Sequence, residues 1–330
     1  MTASTPARSW PPVAEPEALR ARARMLQRLR AFFAERGVLE VETPILSRAG
    51  VADPALAVLT TDWLGADSAT RQPLFLHTSP ELPMKRLLAA GSGPIYQVCK
   101  VFRDGERGRR HHPEFSLLEW YRPGWTLDAL IDEVAALVRW LLERPALAVE
   151  IIRYRDLFRE RLRVDPWQAE VSDLRAAGRA AGLTGCDGLE LDRDGWLDLL
   201  MSRCLEPELG CDSLTVVRDY PPSQAALARL DPGPPCVAAR FECYLDGMEL
   251  ANGFDELTDA AEQRARFAAD LEARRAAGLP QPPLDETFLA ALEAGMPPTA
   301  GVALGLDRLL MGALGAEHID AVLAFPIERA

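Results

Sequence analysis

FRDGERGRRHHPEFSLLEWY, residues 102–121, places four arginines and two adjacent histidines inside a chain whose formal net charge is −12. IYQVCKVFR, 95–103, leads into it and EFSLLEWYR, 114–122, leads out. Both have strand-type patterning, so the basic residues form a loop of about ten residues between the two strands of a long hairpin. On the second strand, side chains alternate faces, which puts Phe115, Leu117, Glu119 and Tyr121 on one surface. Arg103, ending the first strand, reaches over that surface. Such a loop suits a polyphosphate, because guanidinium groups make permanent bidentate contacts with phosphate oxygens. Arg107, Arg109 and Arg110 fit a solvated turn as well.

The 330 residues are 48 % hydrophobic, enough for one large core or two modest ones. With 37 basic against 49 acidic side chains, the balance has the wrong sign for general nucleic-acid binding by counterion release. The six cysteines form no CxxC pair and only four histidines accompany them, so a reduced, cytoplasmic setting is expected. No apolar run approaches the ~18 residues of a membrane span. The N-terminal MTASTPARSWPPVAEPEALR lacks the apolar centre of a signal peptide.

Outward from the hairpin, Pro16 begins an amphipathic helix whose stripe contains Leu19, Met25, Leu26, Leu29, Phe32 and Phe33. VLEVE, 38–42, reads as a strand at an edge or interface, because it meets Pro44. Ser79 reads as an N-cap with Pro80 at the first helical position, and Gly91 ends that helix. Residues 124–235 read as mostly helical. Asp246-Gly247 marks a tight hairpin, and Asp259 with Glu262 starts another helix. GVALG, 301–305, is a buried strand feeding a short helix. Hairpin pairing predicts an α+β fold, an antiparallel β-sheet flanked by helices. No dinucleotide or P-loop signature is present.

Glu249 and Glu256 bracket Asn252 and Gly253. A bend at Gly253 turns both carboxylates toward one site, where they suit magnesium, a substrate ammonium or plain solvation. Arg308 lies in the first turn of a helix, after a glycine-flanked strand that allows close approach of a ligand. Pairing with Asp307 or Glu328 is the alternative.

These segments together resemble the signature motifs of class II aminoacyl-tRNA synthetases. VLEVETPILS looks like motif 1 (about 20–45), the opening stretch like motif 2 (about 98–122) and GVALGLDRLL like motif 3 (about 300–314). HTSPELPMKRLL and ELANGFDELTD are similar to lysyl-tRNA synthetase in particular. The resemblance implies a catalytic domain over 16–330 after an extension at 1–15, with a helical insertion at about 124–235. Lysyl-tRNA synthetases carry an anticodon-binding domain before motif 1, and here about fifteen residues precede the first helix. The architecture therefore looks like the stand-alone paralogue that attaches lysine or β-lysine to a lysine of elongation factor P, with tRNA an unfavoured partner. A minimal lysyl-tRNA synthetase and a non-catalytic regulatory subunit are the alternatives.

The resemblance also implies roles for residues. Arg103 and Arg308 are the catalytic pair, Arg103 on the α-phosphate of ATP and Arg308 against the adenine or γ-phosphate. Phe115 stacks on adenine, while His112, Asp104, Gly105, Glu106, Leu250 and Gly305 line the nucleotide. Glu249 with Glu256 matches the Mg2+ position. Ser79, Pro80, Glu81, Glu119, Tyr121, Asn252 and Glu256 surround lysine. Ala303 stands where glycine is common, and a methyl is worth ~1–3 kcal/mol of discrimination, so (R)-β-lysine is expected over α-lysine. Motif 1 implies a homodimer through 16–36 and the strand ending at Pro44.

Overall fold

A computed structural model describes residues 10–65, 71–186 and 188–330. Residues 1–9 of the expected extension lie outside them. Residues 13 and 14 are no free extension: their amides donate to the carbonyls of Ala324 and Leu323, at 2.8 and 3.2 Å.

The elements, in chain order, are α1 (Pro16–Ala34), β1 (Leu39–Glu40), β2 (Leu46–Ser47), β3 (Thr60–Leu64), β4 (Arg71–Leu76), α2 (Glu81–Ala89), β5 (Ile95–Phe102), β6 (Glu114–Pro123) and α3 (Leu127–Leu142). Next come β7 (Ala148–Arg153), α4 (Tyr154–Leu162), α5 (Val171–Ala180), α6 (Arg193–Leu200) and β8 (Ser213–Tyr220). The chain ends with β9 (Leu230–Asp231), β10 (Val237–Leu245), β11 (Met248–Asp255), α7 (Ala260–Ala276), α8 (Glu286–Gly295), β12 (Thr299–Gly305) and α9 (Leu306–Leu314). The main sheet runs β1-β5-β6-β12-β11-β10-β8-β7, with β9 on β10. Its inner pairs are antiparallel, and its outer pairs β1/β5 and β7/β8 are parallel. Strands β2, β4 and β3 make a small second sheet.

One face of the sheet is covered by α1, α3 and α9. Phe33 stacks on Tyr96 at 4.4 Å and meets Trp120 edge-on at 5.5 Å. Alternation sends Leu118, Trp120, Val302 and Leu304 into this core. It leaves their neighbours to face a cavity on the other side. Asp246 and Gly247 both have positive φ, as a type I′ hairpin turn demands. The α2 helix starts one residue later than expected: Pro80 is the N-cap, and Ser79 Oγ accepts from the Glu81 amide at 3.3 Å.

The stretch 124–235 departs from a helical insertion. It contains α3–α6, but AVEIIR and SLTVVRDY form β7 and β8 and extend the main sheet. The β-branched residues Val216 and Val217 are fully buried there, on opposite faces, one in the main core and the other in a satellite core with Trp196 and Phe158. No helix among the described residues is long and apolar enough to cross a membrane.

Candidate active site

The cavity-facing side of the sheet carries one in-register polar row. Gln97 pairs with Glu119, Glu119 with Ala303, Ala303 with Asn252, and Asn252 with Glu242, across β5, β6, β12, β11 and β10. Cross-strand partners project to the same face. Above this row opens a cavity of about 350 Å³ that is bordered by Ser79, Glu81, Arg103, Asn252, Ala303 and Arg308, within the range of small-molecule sites.

At one end lies an acidic cluster around Lys85, whose side chain is fully buried. Its Nζ is 2.7 Å from Glu81 and 2.6 Å from Glu256. Burial alone pulls the Lys85 pKa down, but Glu256 and Glu81 outweigh it and hold the ammonium charged. Glu119, almost completely buried, accepts from Tyr121 Oη at 2.7 Å. Burial, and then the Glu81 charge, hold the Glu119 carboxyl well above the usual range. Gly301 makes this cluster possible: a Cβ there would fall 2.3 Å from both Glu256 Oε1 and Tyr121. Asn252 Oδ1 is buried and has no hydrogen-bond partner among the described residues. Six expected side chains, Ser79, Glu81, Glu119, Tyr121, Asn252 and Glu256, thus converge, together with Ala303. Pro80 caps α2 and does not border the cavity. Lys85 is the residue sequence reasoning missed: its helix was read, yet nothing local shows that Lys85 points inward.

At the other end, the Arg103 guanidinium lies 5.0 Å from the Phe115 ring centroid, and its buried Nε has no partner. Glu106 is 3.8 Å from Arg103 Nη1. Arg308 donates to the Glu249 carbonyl at 2.8 Å and meets His111 Nε2 at 2.8 Å. Burial, then the Arg308 charge, lower the His111 pKa. The neutral ring thus accepts from Arg308. Neither alternative pairing of Arg308 is realised: Asp307 is paired with Arg22 and accepts from the Ser116 amide, and Glu328 pairs with Arg107. Leu250 and Gly305 border this end.

The basic loop divides its arginines. Arg103 and Arg110 border the cavity, and Arg110 donates to the Gly247 carbonyl. Arg107 instead binds Asp320 at 2.8 Å and Glu328 at 2.7 Å, and Arg109 donates to the Glu317 carbonyl at 2.8 Å. These two are exposed, tie the loop to the C-terminal segment and do not border the cavity. His112 belongs to the same fastening. Its Nε2 accepts from the Ile327 amide at 2.9 Å, which leaves the proton on Nδ1, facing the Glu114 carbonyl at 2.5 Å. Both ring nitrogens are engaged, so His112 borders the cavity without offering a polar atom. Asp104 and Gly105 are exposed outside the cavity, and the Asp104 amide is bound to the Ala57 carbonyl at 2.9 Å. An amide already committed to a carbonyl offers nothing to a nucleotide.

The expected metal pair needs correction. Glu249 and Glu256 do share a face, but Gly253 is not the cause. The register shifts opposite Cys243/Tyr244, which makes Leu250 the extra residue of a β-bulge. Gly253 instead admits the Phe241 ring, 2.5 Å from where a Cβ would sit. Roughly 20 Å of extended chain separates the two carboxylates, and Glu256 is committed to Lys85. The carboxylate beside Glu249 is Glu242, held by Arg240 at 2.5 Å, Tyr220 at 2.7 Å and Tyr244. Burial and then Glu242 push the Glu249 carboxyl up to about 7. Arg308, 3.5 Å from the Glu249 carboxylate, and Arg240 oppose that rise. Among the described residues no group of three metal-ligating side chains forms, so a cation here would depend on phosphate and water for its other ligands.

The model of the family described as tRNA synthetases class II (D, K and N) matches residues 14–329. The chain belongs to this class II tRNA synthetase family. The elongation factor P-(R)-β-lysine ligase of Vibrio cholerae is 50 % identical over 321 residues, 97 % of this chain and 98 % of that protein. The corresponding ligase of Erwinia tasmaniensis is 49 % identical with the same coverage, and that of Klebsiella pneumoniae subsp. pneumoniae 48 % identical over 323 residues, 98 % of each chain. Within the class II synthetase family the chain is thus a ligase, and membership implies the use of ATP. The mostly antiparallel sheet with its flanking helices is the class II synthetase-like fold.

Proposed function

We propose that the protein uses ATP to activate (R)-β-lysine, or lysine, as an aminoacyl-adenylate and then acylates the ε-amine of a lysine on elongation factor P. The observation that carries this reading is the acidic end of the cavity. Glu81, Glu119 and Glu256 stand around one buried cation, Lys85. A substrate with two ammonium groups supplies the missing positive charge, and Asn252 Oδ1 supplies a waiting acceptor. The close identity to named (R)-β-lysine ligases over nearly the full length supports the acceptor.

In the first step the substrate carboxylate attacks the α-phosphorus of ATP and pyrophosphate leaves. Arg103 and Arg308 position and neutralise the phosphates, and Phe115 provides a flat apolar surface for adenine. The Glu249 carboxylate, which borders the cavity, fits Mg2+, which would take its other ligands from phosphate and water and supply charge neutralisation there. No protein nucleophile is required. In the second step the acceptor amine attacks the carbonyl carbon, the bond to phosphate oxygen breaks, and AMP departs.

Strand β1 lies at the edge of the main sheet, and its Leu39 exposes 57 % of its surface. This apolar edge supports a homodimer through motif 1. A cytoplasmic location follows from the proposed acceptor.

Incubation with ATP, magnesium and labelled lysine or β-lysine, offering unmodified elongation factor P and total tRNA in parallel, tests the reading. Label on the protein factor is expected. Label on tRNA alone, or on neither, refutes it.

A further inference from the structure

One wall of the cavity is a stripe of α7 carrying Gln263, Arg266, Phe267 and Asp270, spaced as one helical face requires. Arg266 is engaged within the protein: it pairs with Glu262 at 2.5 Å and donates to the Ala226 and Ala228 carbonyls at 2.8 Å. Asp270 is half-buried and makes no hydrogen bond or ion pair among the described residues. Loop 51–57 brings Asp53 and Leu56 to the same cavity. Arg274, itself buried, holds this loop by donating to the Asp53 carbonyl at 2.8 Å and the Leu56 carbonyl at 3.1 Å. Burial, and then the Asp53 charge, push the Asp270 carboxyl upward. Both carboxylates border the cavity, with the Arg266 charge offsetting Asp270 in part, and two like charges so placed favour a further cation.

A second, independent observation points to a ligand. Gln263 is fully buried on the same stripe, and neither Oε1 nor Nε2 has a partner among the described residues. An amide buried without partners calls for a bound group that completes it. The ammonium groups of the activated amino acid already have Glu81, Glu119 and Glu256. A second amine is therefore the ligand that matches the carboxylates and Gln263 Oε1, and a carbonyl carried with it would accept from Nε2. From Asp270 to Gln263 the helix advances about 10 Å, with Phe267 between them as an apolar flank. A cationic side chain that reaches Gln263 along this face has Phe267 and Asp270 on the same stripe behind it.

We propose that Asp53, Asp270 and Gln263 form the subsite that receives the ammonium-bearing side chain of the protein acceptor. This subsite rests on the acylation of a protein lysine proposed above. The test uses the full-length enzyme carrying Asp53→Asn with Asp270→Asn, each single change, and Gln263→Leu. ATP-pyrophosphate exchange with β-lysine reports the first step, and transfer to elongation factor P over a range of its concentration reports the second. Exchange within twofold of native is expected, with the KM for the acceptor raised at least tenfold in the double variant. Native acceptor KM in every variant overturns the subsite, as does exchange that falls in parallel with transfer. Each isosteric single change keeps the test available should the double variant fail to fold. If the unsubstituted enzyme labels no elongation factor P, the acceptor itself is wrong and the subsite falls with it. That failure is read on native protein alone and so is distinct from failure of the subsite.

Discussion

Lys85 and Glu256 are joined by a 2.6 Å ion pair with almost no exposed surface on either side chain. The pair sits where an amino-acid ammonium is expected to bind, so the protein keeps a cation of its own beneath the substrate's. Removing it leaves Glu256 and Glu81 buried without a partner. Lys85→Met is therefore expected to destabilise the fold by ~3–5 kcal/mol, the range for breaking a buried pair, as read from urea unfolding. Saturating β-lysine should raise the stability of this variant more than that of native protein. Equal stabilisation of both would place the ammonium elsewhere.

Arg308 reaches the cavity from α9 and is held by the Glu249 carbonyl and His111. Arg308→Ala is expected to lower ATP-pyrophosphate exchange by ~10²–10³, the scale of losing one preorganised donor, with an unchanged melting temperature. His111→Ala removes only the support and should raise the KM for ATP more than it lowers kcat. Near-native exchange in the Arg308 variant would remove that residue from the chemistry.

The Glu249 carboxyl, raised from 4.5 to about 7 by burial and by Glu242, ties stability to pH. Between these values the folded state binds more protons than the unfolded chain, so stability declines as pH rises from about 4.5 to about 7. Glu249→Gln should flatten that decline while impairing activation. Parallel stability-pH curves for native and variant would show that Glu249 ionises freely. Magnesium, which takes the ionised form, should bind more tightly as pH rises through about 7.

Ala303 stands in register between Glu119 and Asn252, so its methyl projects into the row beneath the substrate. Ala303→Gly should shift the ratio of kcat/KM for (R)-β-lysine over α-lysine toward α-lysine, by the ~1–3 kcal/mol of one methyl group. An unchanged ratio in exchange assays would end its role in choosing the isomer.

Sedimentation at micromolar concentration is expected to give a dimer, and Leu39→Glu on the exposed edge strand β1 should yield a folded monomer. Native protein sedimenting as a monomer contradicts the motif 1 interface.

The hairpins, and the strand that carries Phe115, Glu119 and Tyr121, were legible because alternation and turn chemistry are local signals. Glu242 escaped notice because its partners, Arg240, Tyr220 and Tyr244, are assembled by pairing of β10 with β8. The fastening role of Arg107 depends on residues far down the chain, so charge density alone suggested phosphate. A bulge at Leu250 has no composition of its own, whereas Gly253 looked like a bend and proved to be room for Phe241. Strands β7 and β8 lie among helices, where short β-branched runs look like helix cores until they find sheet neighbours.

Arg107 and Glu328 are 221 residues apart in sequence, and the contact between them has a temporal meaning. On a ribosome adding roughly 5–20 residues per second, the nucleotide loop emerges about 10–40 s before its fastener is made. Until then Arg103 sits at the base of a loop whose Arg107 has no Glu328 to hold it. Full fastening of the nucleotide loop thus waits for the segment around Glu328.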